Sequence, residues 1–367
     1  GLRFLDPACG CGNFLVIAYR ELRLLEIEIL RQQHEGKQIQ QVLDISHLDR
    51  VNVDQFYGME ILEFPAQIAQ VALWLMDHQM NNIVSSTFGL NYARLPLKTR
   101  PNIHCTNALR KDWKEIVRPE MLSYILGNPP FAGSKLQTAE QRKELTDAFG
   151  GAKNAGVLDY VTAWYVKAAE YIQGTDIRVG YVSTNSITQG EQVGPLWDIL
   201  LNKYKVNIHF AHRTFKWSSQ ARGKAAVHCV IIGFALDEPK APVIFDYDTP
   251  DAEAHRADVK HINPYLVDAN DILLFNRSEP ICDVPKIGIG NKPIDGGNYL
   301  FTKLEMEEFV AKEPGAAKWM RPWIGSDEFI NGYQRYCLWL GECPPEELRK
   351  MPLALERVEA VRRYRLS

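Results

Sequence analysis

Asn128-Pro129-Pro130-Phe131 is the stretch whose residue types and spacing could do chemistry. It follows Ser123-Tyr124-Ile125-Leu126-Gly127, an apolar run that reads as a strand. Two prolines behind such a run end the strand, because they donate no backbone hydrogen bond and fix φ. In an open α/β sheet the carboxyl end of a strand is where ligands bind. An amide and an aromatic ring held rigidly there suit a flat, polar molecule, although the same four residues also fit a turn that merely closes a strand.

Three further segments carry polar or glycine-rich ends of the same kind. The strand Arg3 to Leu5 runs into Asp6-Pro7-Ala8-Cys9-Gly10-Cys11-Gly12-Asn13-Phe14, and a helical pattern follows, with Phe14, Ala18, Leu22, Leu25 and Ile29 at three- and four-residue spacing. Glycines at such a turn let the backbone approach a ligand, and a helix N-terminus offers free N–H groups. The spacing is not Gly-x-Gly-x-x-Gly, so NAD is not inferred. Glu60 closes a second strand, Phe56-Tyr57-Gly58-Met59-Glu60. An acid there can accept both hydrogens of a ribose diol, or it can be a surface glutamate favoured by the dipole of the next helix. That helix has Pro65 near its start and Ile68, Val71, Leu75 and Met76 on one face. A third strand, Ile103 to Asn107, again ends in a polar residue. Four such ends converging on one edge of a sheet make a ligand site out of weak parts.

The elements that must position these ends continue down the chain. Ala132 to Gly156 is a glycine-bounded loop around a helical piece, Ala139 to Phe149, and reads as a candidate lid. Leu158, Val161, Trp164, Tyr165, Ala168 and Ile172 form a helix face, Arg178 to Thr184 a fifth strand, Leu196 to Leu201 part of another helix, and Val206 to Ala211 and Ala226 to Ala235 the last two strands. The fold class predicted is α/β, a doubly wound seven-stranded, mostly parallel sheet whose last pair forms a hairpin. The hairpin loop carries Arg213, Lys216, Arg222 and Lys224 interleaved with Phe215 and Trp217, and no Asp or Glu occurs between Asp198 and Asp237. Such a loop suits phosphate and base contacts; the other reading is a solvated hairpin tip.

With 367 residues, a prior of about 150 per domain predicts two or three domains. The texture turns proline- and aspartate-rich after Leu236, which sets the expected division at 1–236 for the catalytic domain, 237–300 for a connector and 301–367 for the beginning of a further region. An apolar fraction of 46% and a charged fraction of 24% exclude wholesale disorder. A net charge of −3 excludes a positively coated protein but leaves room for a local nucleic-acid groove. Seven cysteines without paired metal spacings suit reduced thiols in an intracellular protein with no metal site. The longest uncharged apolar run, Ala225 to Leu236, is shorter than the roughly 20 residues of a membrane-spanning helix, and no signal peptide opens the chain, so a cytoplasmic location is expected. Because Gly1 to Asp6 enters a strand at once, the chain reads as a piece of a longer polypeptide.

Taken together, these residues resemble the N6-adenine DNA methyltransferases in their gamma-class motif order. Asp6-Pro7-Ala8-Cys9-Gly10-Cys11-Gly12 is similar to the cofactor motif, Glu60 to the ribose-binding acid, Asn107 to the polar residue near the cofactor adenine, and Asn128-Pro129-Pro130-Phe131 to the catalytic motif. Cys9-Gly10-Cys11-Gly12-Asn13-Phe14-Leu15, with Lys318-Trp319-Met320-Arg321-Pro322 and Glu328-Phe329-Ile330-Asn331-Gly332 downstream, resembles the single-chain restriction-modification enzymes of type IIG/IIL. The resemblance implies a class I, Rossmann-like fold and S-adenosylmethionine as cofactor, held by Asp6, Pro7, Ala8, Cys9, Gly10, Gly12, Asn13, Phe14, Glu60, Ile61, Asn107 and Ala108. It implies duplex DNA as partner, with the target adenine flipped out, Asn128, Pro129, Pro130 and Phe131 at the amine, Arg213, Lys216, Trp217, Arg222 and Lys224 on the DNA, and a target-recognition region beginning in 301–367. Two departures stand out: the family's upstream cofactor contact and its nuclease cluster of acids and lysine are not in this sequence, so cleavage by this piece is not expected. Methylation of RNA or of a protein amide, and DNA binding without catalysis, are the rival readings.

Overall fold

Phe4, Leu5 and Asp6 are all buried and form β1 (Phe4–Asp6), which lies between β2 (Phe56–Glu60) and β4 (Tyr124–Gly127), with β3 (Asn102–Cys105) outside β2. The computed structural model describes residues 1–33, 50–88, 100–151, 153–217, 227–277, 279–285 and 293–366. It separates into two units, Gly1–Asn276 and Arg277–Ser367. In the first, β5 (Arg178–Thr184), β6 (Asn207–Trp217), β7 (Val227–Ala235), β8 (Val243–Asp246) and β9 (His255–Asp258) complete a sheet ordered β3-β2-β1-β4-β5-β7-β6-β8-β9. β7 is antiparallel to β5 and β6, and β9 to β8, while the other pairs are parallel.

This is the expected doubly wound sheet with its β6–β7 hairpin, but it has nine strands rather than seven, β8 and β9 lying outside the hairpin. The two additions come from residues 243–258, whose proline- and aspartate-rich texture conceals them; β9 is exposed along its whole length and shows no apolar alternation. β6 also extends to Trp217, so residues 212–217, expected in a loop, are strand.

Helices cover both faces. α1 (Asn13–Gln33) and α2 (Glu63–Phe88) pack on Phe4 and Phe56. α3 (Ala139–Ala148), α4 (Thr162–Tyr171) and α5 (Val193–Trp197) contribute to the core around Leu5, Met59 and Ile125. The inner faces of the first pair differ from those expected. α1 buries Leu15, Tyr19, Arg23, Ile27 and Leu30, whereas Leu25 and Ile29 are 56% and 46% exposed. α2 buries Ala66, Ala69, Leu73, Asp77, Met80 and Asn81, whereas Val71 and Leu75 are exposed. The buried polar groups pair between the helices: Tyr19 donates to Asp77 Oδ1 at 2.6 Å, and Arg23 Nη2 to Asn81 Oδ1 at 3.1 Å. An inner face built from small and mutually paired polar residues is invisible to a search for the most apolar stripe.

The second unit holds β10 (Leu300–Thr302), β11 (Met320–Trp323) and β12 (Arg335–Leu338), antiparallel in the order β10-β12-β11. α6 (Lys303–Lys312), α7 (Ser326–Asn331), α8 (Pro345–Leu348) and α9 (Pro352–Leu366) accompany them around a core of Phe301, Phe309, Ala316, Leu338, Met351 and Ala354. The buried Glu313 carboxylate caps α9, accepting from the backbone N–H of Leu353 at 2.9 Å and of Ala354 at 2.8 Å.

Candidate active site

In the order β3-β2-β1-β4-β5 the chain winds outward from β1 to β3 and then crosses back to β4, so the switch point lies between β1 and β4. Asp6 ends one of these strands and Gly127 the other. The two approach closely: a Cβ on Gly127 would sit 2.6 Å from Asp6 Oδ1, which is why the residue before Asn128 must be glycine. The glycine turn is similarly constrained. Gly10 and Gly12 have φ of +53° and +83°, and a Cβ on Gly12 would lie 3.0 Å from that of Ala69 on α2. Gly12 O accepts the Val16 N–H at 2.9 Å, which starts α1 from the turn.

Glu60 ties these pieces together. Its Oε2 accepts the Gly10 N–H at 3.1 Å and its Oε1 the Leu62 N–H at 2.9 Å, so the acid closing β2 is held by the glycine turn and by the entry to α2. Beside it opens a cavity of about 290 Å³. Of the residues expected around a cofactor, Pro7, Ala8, Glu60, Ile61, Asn107 and Ala108 line this cavity. Asp6, Cys9, Gly10, Gly12, Asn13 and Phe14 build the turn and helix start beside it without lining it. Asp6 is buried, which pushes its carboxyl up to about 7, the Ala8 N–H opposing this and the Glu60 charge adding to it. Burial likewise raises the Cys9 thiol far above its ordinary value, so it is inert.

The opposite wall consists of residues that sequence reasoning did not single out as ligands. Thr138, Glu140, Gln141 and Glu144 come from α3 and its N-cap, Tyr160 from the segment leading into α4 and Trp164 from α4 itself. Glu144 is buried and central: it accepts from Asn107 Nδ2 at 2.7 Å, from Arg110 Nε at 2.6 Å and from the Tyr160 hydroxyl. Asn107 Oδ1 accepts the Leu109 N–H at 2.9 Å, so its amide is oriented from both ends. Trp164 donates from its indole to Pro7 O at 3.1 Å and meets Tyr160 edge to face at 5.1 Å. The only sequence signals for this wall were its glycine-bounded loop and an aromatic helix face that reads as core.

Pro130 reaches the cavity, Pro129 is buried and Phe131 is half-buried against the core. Asn128 Oδ1 is buried and has no hydrogen-bond partner among the described residues. An orphaned amide oxygen costs about 1–3 kcal/mol, and it leaves an acceptor free for an N–H group.

The basic segment is less free than its composition implies. Arg213 pairs with Asp246 at 2.7 Å and Lys216 with Asp251 at 3.4 Å, because β8 runs beside β6 and, with the turn that follows it, supplies the acids missing from the local sequence. Both pairs are solvent-exposed and of the kind worth about 0–1 kcal/mol, so a phosphate can compete for them. Trp217 closes β6, while Arg222 and Lys224 lie outside the described residues. Among the described residues, no cluster of three or more His, Cys, Asp or Glu could hold a metal, and no helix is long and apolar enough to cross a membrane.

A glycine turn after the first strand, an acid closing the second, and a reversed strand β7 between β5 and β6 define a Rossmann-like methyltransferase domain of class I. The family described as MmeI, DNA-methyltransferase domain, matches residues 1–246, and that described as MmeI, target recognition domain, matches residues 268–367. The chain therefore belongs to the MmeI family of DNA methyltransferases. It is 41% identical over 369 residues to DNA methyltransferase A of Bacillus subtilis (strain 168), covering 99% of this chain and 40% of that protein. The solved structure of the type IIL restriction-modification enzyme MmeI in complex with DNA is 53% identical, superposes with a TM-score of 0.91, and is matched over 100% of this chain and 49% of its own. The chain thus spans less than half the length of either relative.

Proposed function

We propose that this chain is the modification part of a restriction-modification enzyme, transferring a methyl group from S-adenosylmethionine to the N6 amine of an adenine extruded from duplex DNA. The observation that carries this reading is the orphaned Asn128 Oδ1 beside the Glu60 cavity. Catalysis is assigned to residues 1–236 and target recognition to a region under way by 301, with 237–300 joining them.

The residues at the cavity fit the cofactor. Each Glu60 oxygen accepts one backbone N–H, and a carboxylate has about four lone-pair sites, so both hydroxyls of a ribose diol can be added. Pro7, Ala8, Ile61 and Ala108 supply apolar walls, and Asn107 a polar edge. The cofactor's sulfonium supplies an electrophilic methyl group. At the acceptor, the adenine N6 lone pair is delocalised into the ring, so the amine is a poor nucleophile. Asn128 Oδ1 and the Pro129 carbonyl accept the two N6 hydrogens, favour a more tetrahedral nitrogen and stabilise the positive charge that develops on it. Phe131 stacks on the base. Extrusion costs a few kcal/mol, and Arg213, Lys216, Trp217, Arg222 and Lys224 help meet that cost at the distorted backbone.

A labelled-methyl transfer assay on duplex DNA, tRNA and a protein amide tests the assignment. Incorporation into DNA at adenine N6 is expected; label found only in RNA or protein would overturn it.

A further inference from the structure

The Asn-Pro-Pro-Phe clamp is held at its front by pairing of β4, yet what fixes its far end lies 27 to 29 residues away, in Leu158-Asp159-Tyr160. Ala132, directly after Phe131, accepts on its carbonyl the Tyr160 N–H at 2.9 Å and Gln137 Nε2 at 3.2 Å. Gln137 Nε2 also donates to Leu158 O at 2.8 Å, so the strap leaving the clamp is stitched to residues 158–160 twice. Gly133 lies against the Asp159 side chain, where even an added Cβ would be 3.7 Å from Oδ1.

Asp159 is 5% exposed; its carbonyl accepts from Thr162 at the start of α4, and its carboxylate and N–H bond to other parts of the rim. Its Oδ2 accepts from the Thr184 hydroxyl at 2.7 Å, its Oδ1 from Gln192 Nε2 at 3.1 Å, and its backbone N–H donates to Gln192 Oε1 at 2.9 Å. Gln192 and Asp159 therefore form a closed, two-bond amide–carboxylate pair. Gly127 pairs with Tyr181 across β4 and β5, which puts Thr184 three residues, about 10 Å, further along β5, beside the clamp rather than beneath it. A buried carboxylate with both oxygens paired connects the strap behind Phe131, the overhang of β5 and the turn before α5.

We propose that Asp159 is a positioning residue for methyl transfer: with Gln192 and Thr184 it sets the attitude of Phe131 and the Pro129–Pro130 peptide, and so where the acceptor amine sits. This rests on the proposed adenine methylation. It assigns to a residue that touches neither cofactor nor base a control over the rate of the chemical step, leaving cofactor binding at Glu60 alone.

The test is a charge exchange within the closed pair. Gln192→Glu sets two carboxylates face to face; adding Asp159→Asn restores one amide and one carboxylate, with every bond again available and the parent's net charge. Single-turnover methyl transfer to duplex DNA at pH 8 is expected to fall at least tenfold in Gln192→Glu, with cofactor affinity within twofold of the parent, and to return to within threefold in the double variant. Amide hydrogen exchange gives a second readout that needs no turnover: the Asp159 and Tyr160 N–H groups, which donate to Gln192 Oε1 and Ala132 O, should exchange faster in Gln192→Glu and regain protection in the double variant. An unchanged rate in Gln192→Glu, a double variant no faster than the single, or unaltered exchange at Asp159 and Tyr160 would overturn the proposal. A parent that leaves DNA unmethylated would defeat the functional reading instead, while the exchange pattern would still decide whether Asp159 holds the strap.

Discussion

Asn128→Ala should separate stability from activity in opposite directions. In the folded protein the Asn128 amide oxygen is buried without a partner, whereas in the unfolded chain water solvates it. That asymmetry costs about 1–3 kcal/mol, and truncation removes it together with some side-chain packing worth about 1 kcal/mol. Net stability should therefore be unchanged or higher by about 1 kcal/mol, which for a unit of this size is a rise of about 2–4 °C in Tm. Methyl transfer should fall by about 10²–10³-fold, the usual loss when one preorganised partner of the developing charge is deleted. Scanning calorimetry and single-turnover transfer on one preparation give both quantities. A loss of more than 2 kcal/mol on truncation would mean that the amide is structurally satisfied, and transfer within threefold of the parent would mean that its oxygen does not hold the amine; either result refutes the reasoning.

Three more perturbations address the cavity, the buried acid and the basic strand. Glu60→Ala removes two charge-assisted bonds to a ribose diol at about 1.5–3 kcal/mol each, so calorimetry should find cofactor affinity at least 100-fold weaker; an unaltered affinity would remove Glu60 from the site. Asp6→Asn probes a carboxyl whose folded value is raised from 3.8 to about 7. A raised carboxyl makes the folded state bind more protons than the unfolded one between those values, so the parent loses stability as pH rises from about 4 through 7, at up to about 1.4 kcal/mol per unit. The asparagine variant should lose that slope and gain Tm at pH 8 relative to pH 5, and a parent-like slope would show that Asp6 is ionised throughout. Arg213→Ala with Lys216→Ala should leave stability within about 1 kcal/mol, because both ion pairs are exposed, and should flatten the dependence of DNA affinity on log salt by about one unit per lost phosphate contact. An unchanged slope would place the DNA elsewhere.

Sequence signals were clearest where a local rule and a global one coincide. Gly12 and Gly127 sit close to Ala69 and Asp6, where only the smallest residue fits, and Gly10 takes a positive φ that favours glycine. Prolines stop β4 at the same level where Glu60 stops β2, so one edge could be drawn before any coordinate was known. Legibility failed where burial and polarity part company. Arg23 with Asn81 and Tyr19 with Asp77 face inward on α1 and α2 because each finds its partner across 58 residues of chain, leaving Leu25, Ile29, Val71 and Leu75 outside. The far wall of the cavity failed for the same reason. Glu144 reads as one more charge on a polar helix until the fold brings Asn107, Arg110 and Tyr160 to it, and Arg213 and Lys216 read as unopposed until β8 and the turn after it bring Asp246 and Asp251 alongside. Each of these partnerships is non-local, and a buried or edge-strand charge is identified by its partner rather than by its neighbours in sequence. The Asp159 pair belongs to this group: its carboxylate bonds lie 25 and 33 residues away, so a substitution at Gln192 should act at the clamp although nothing in the local sequence connects the two.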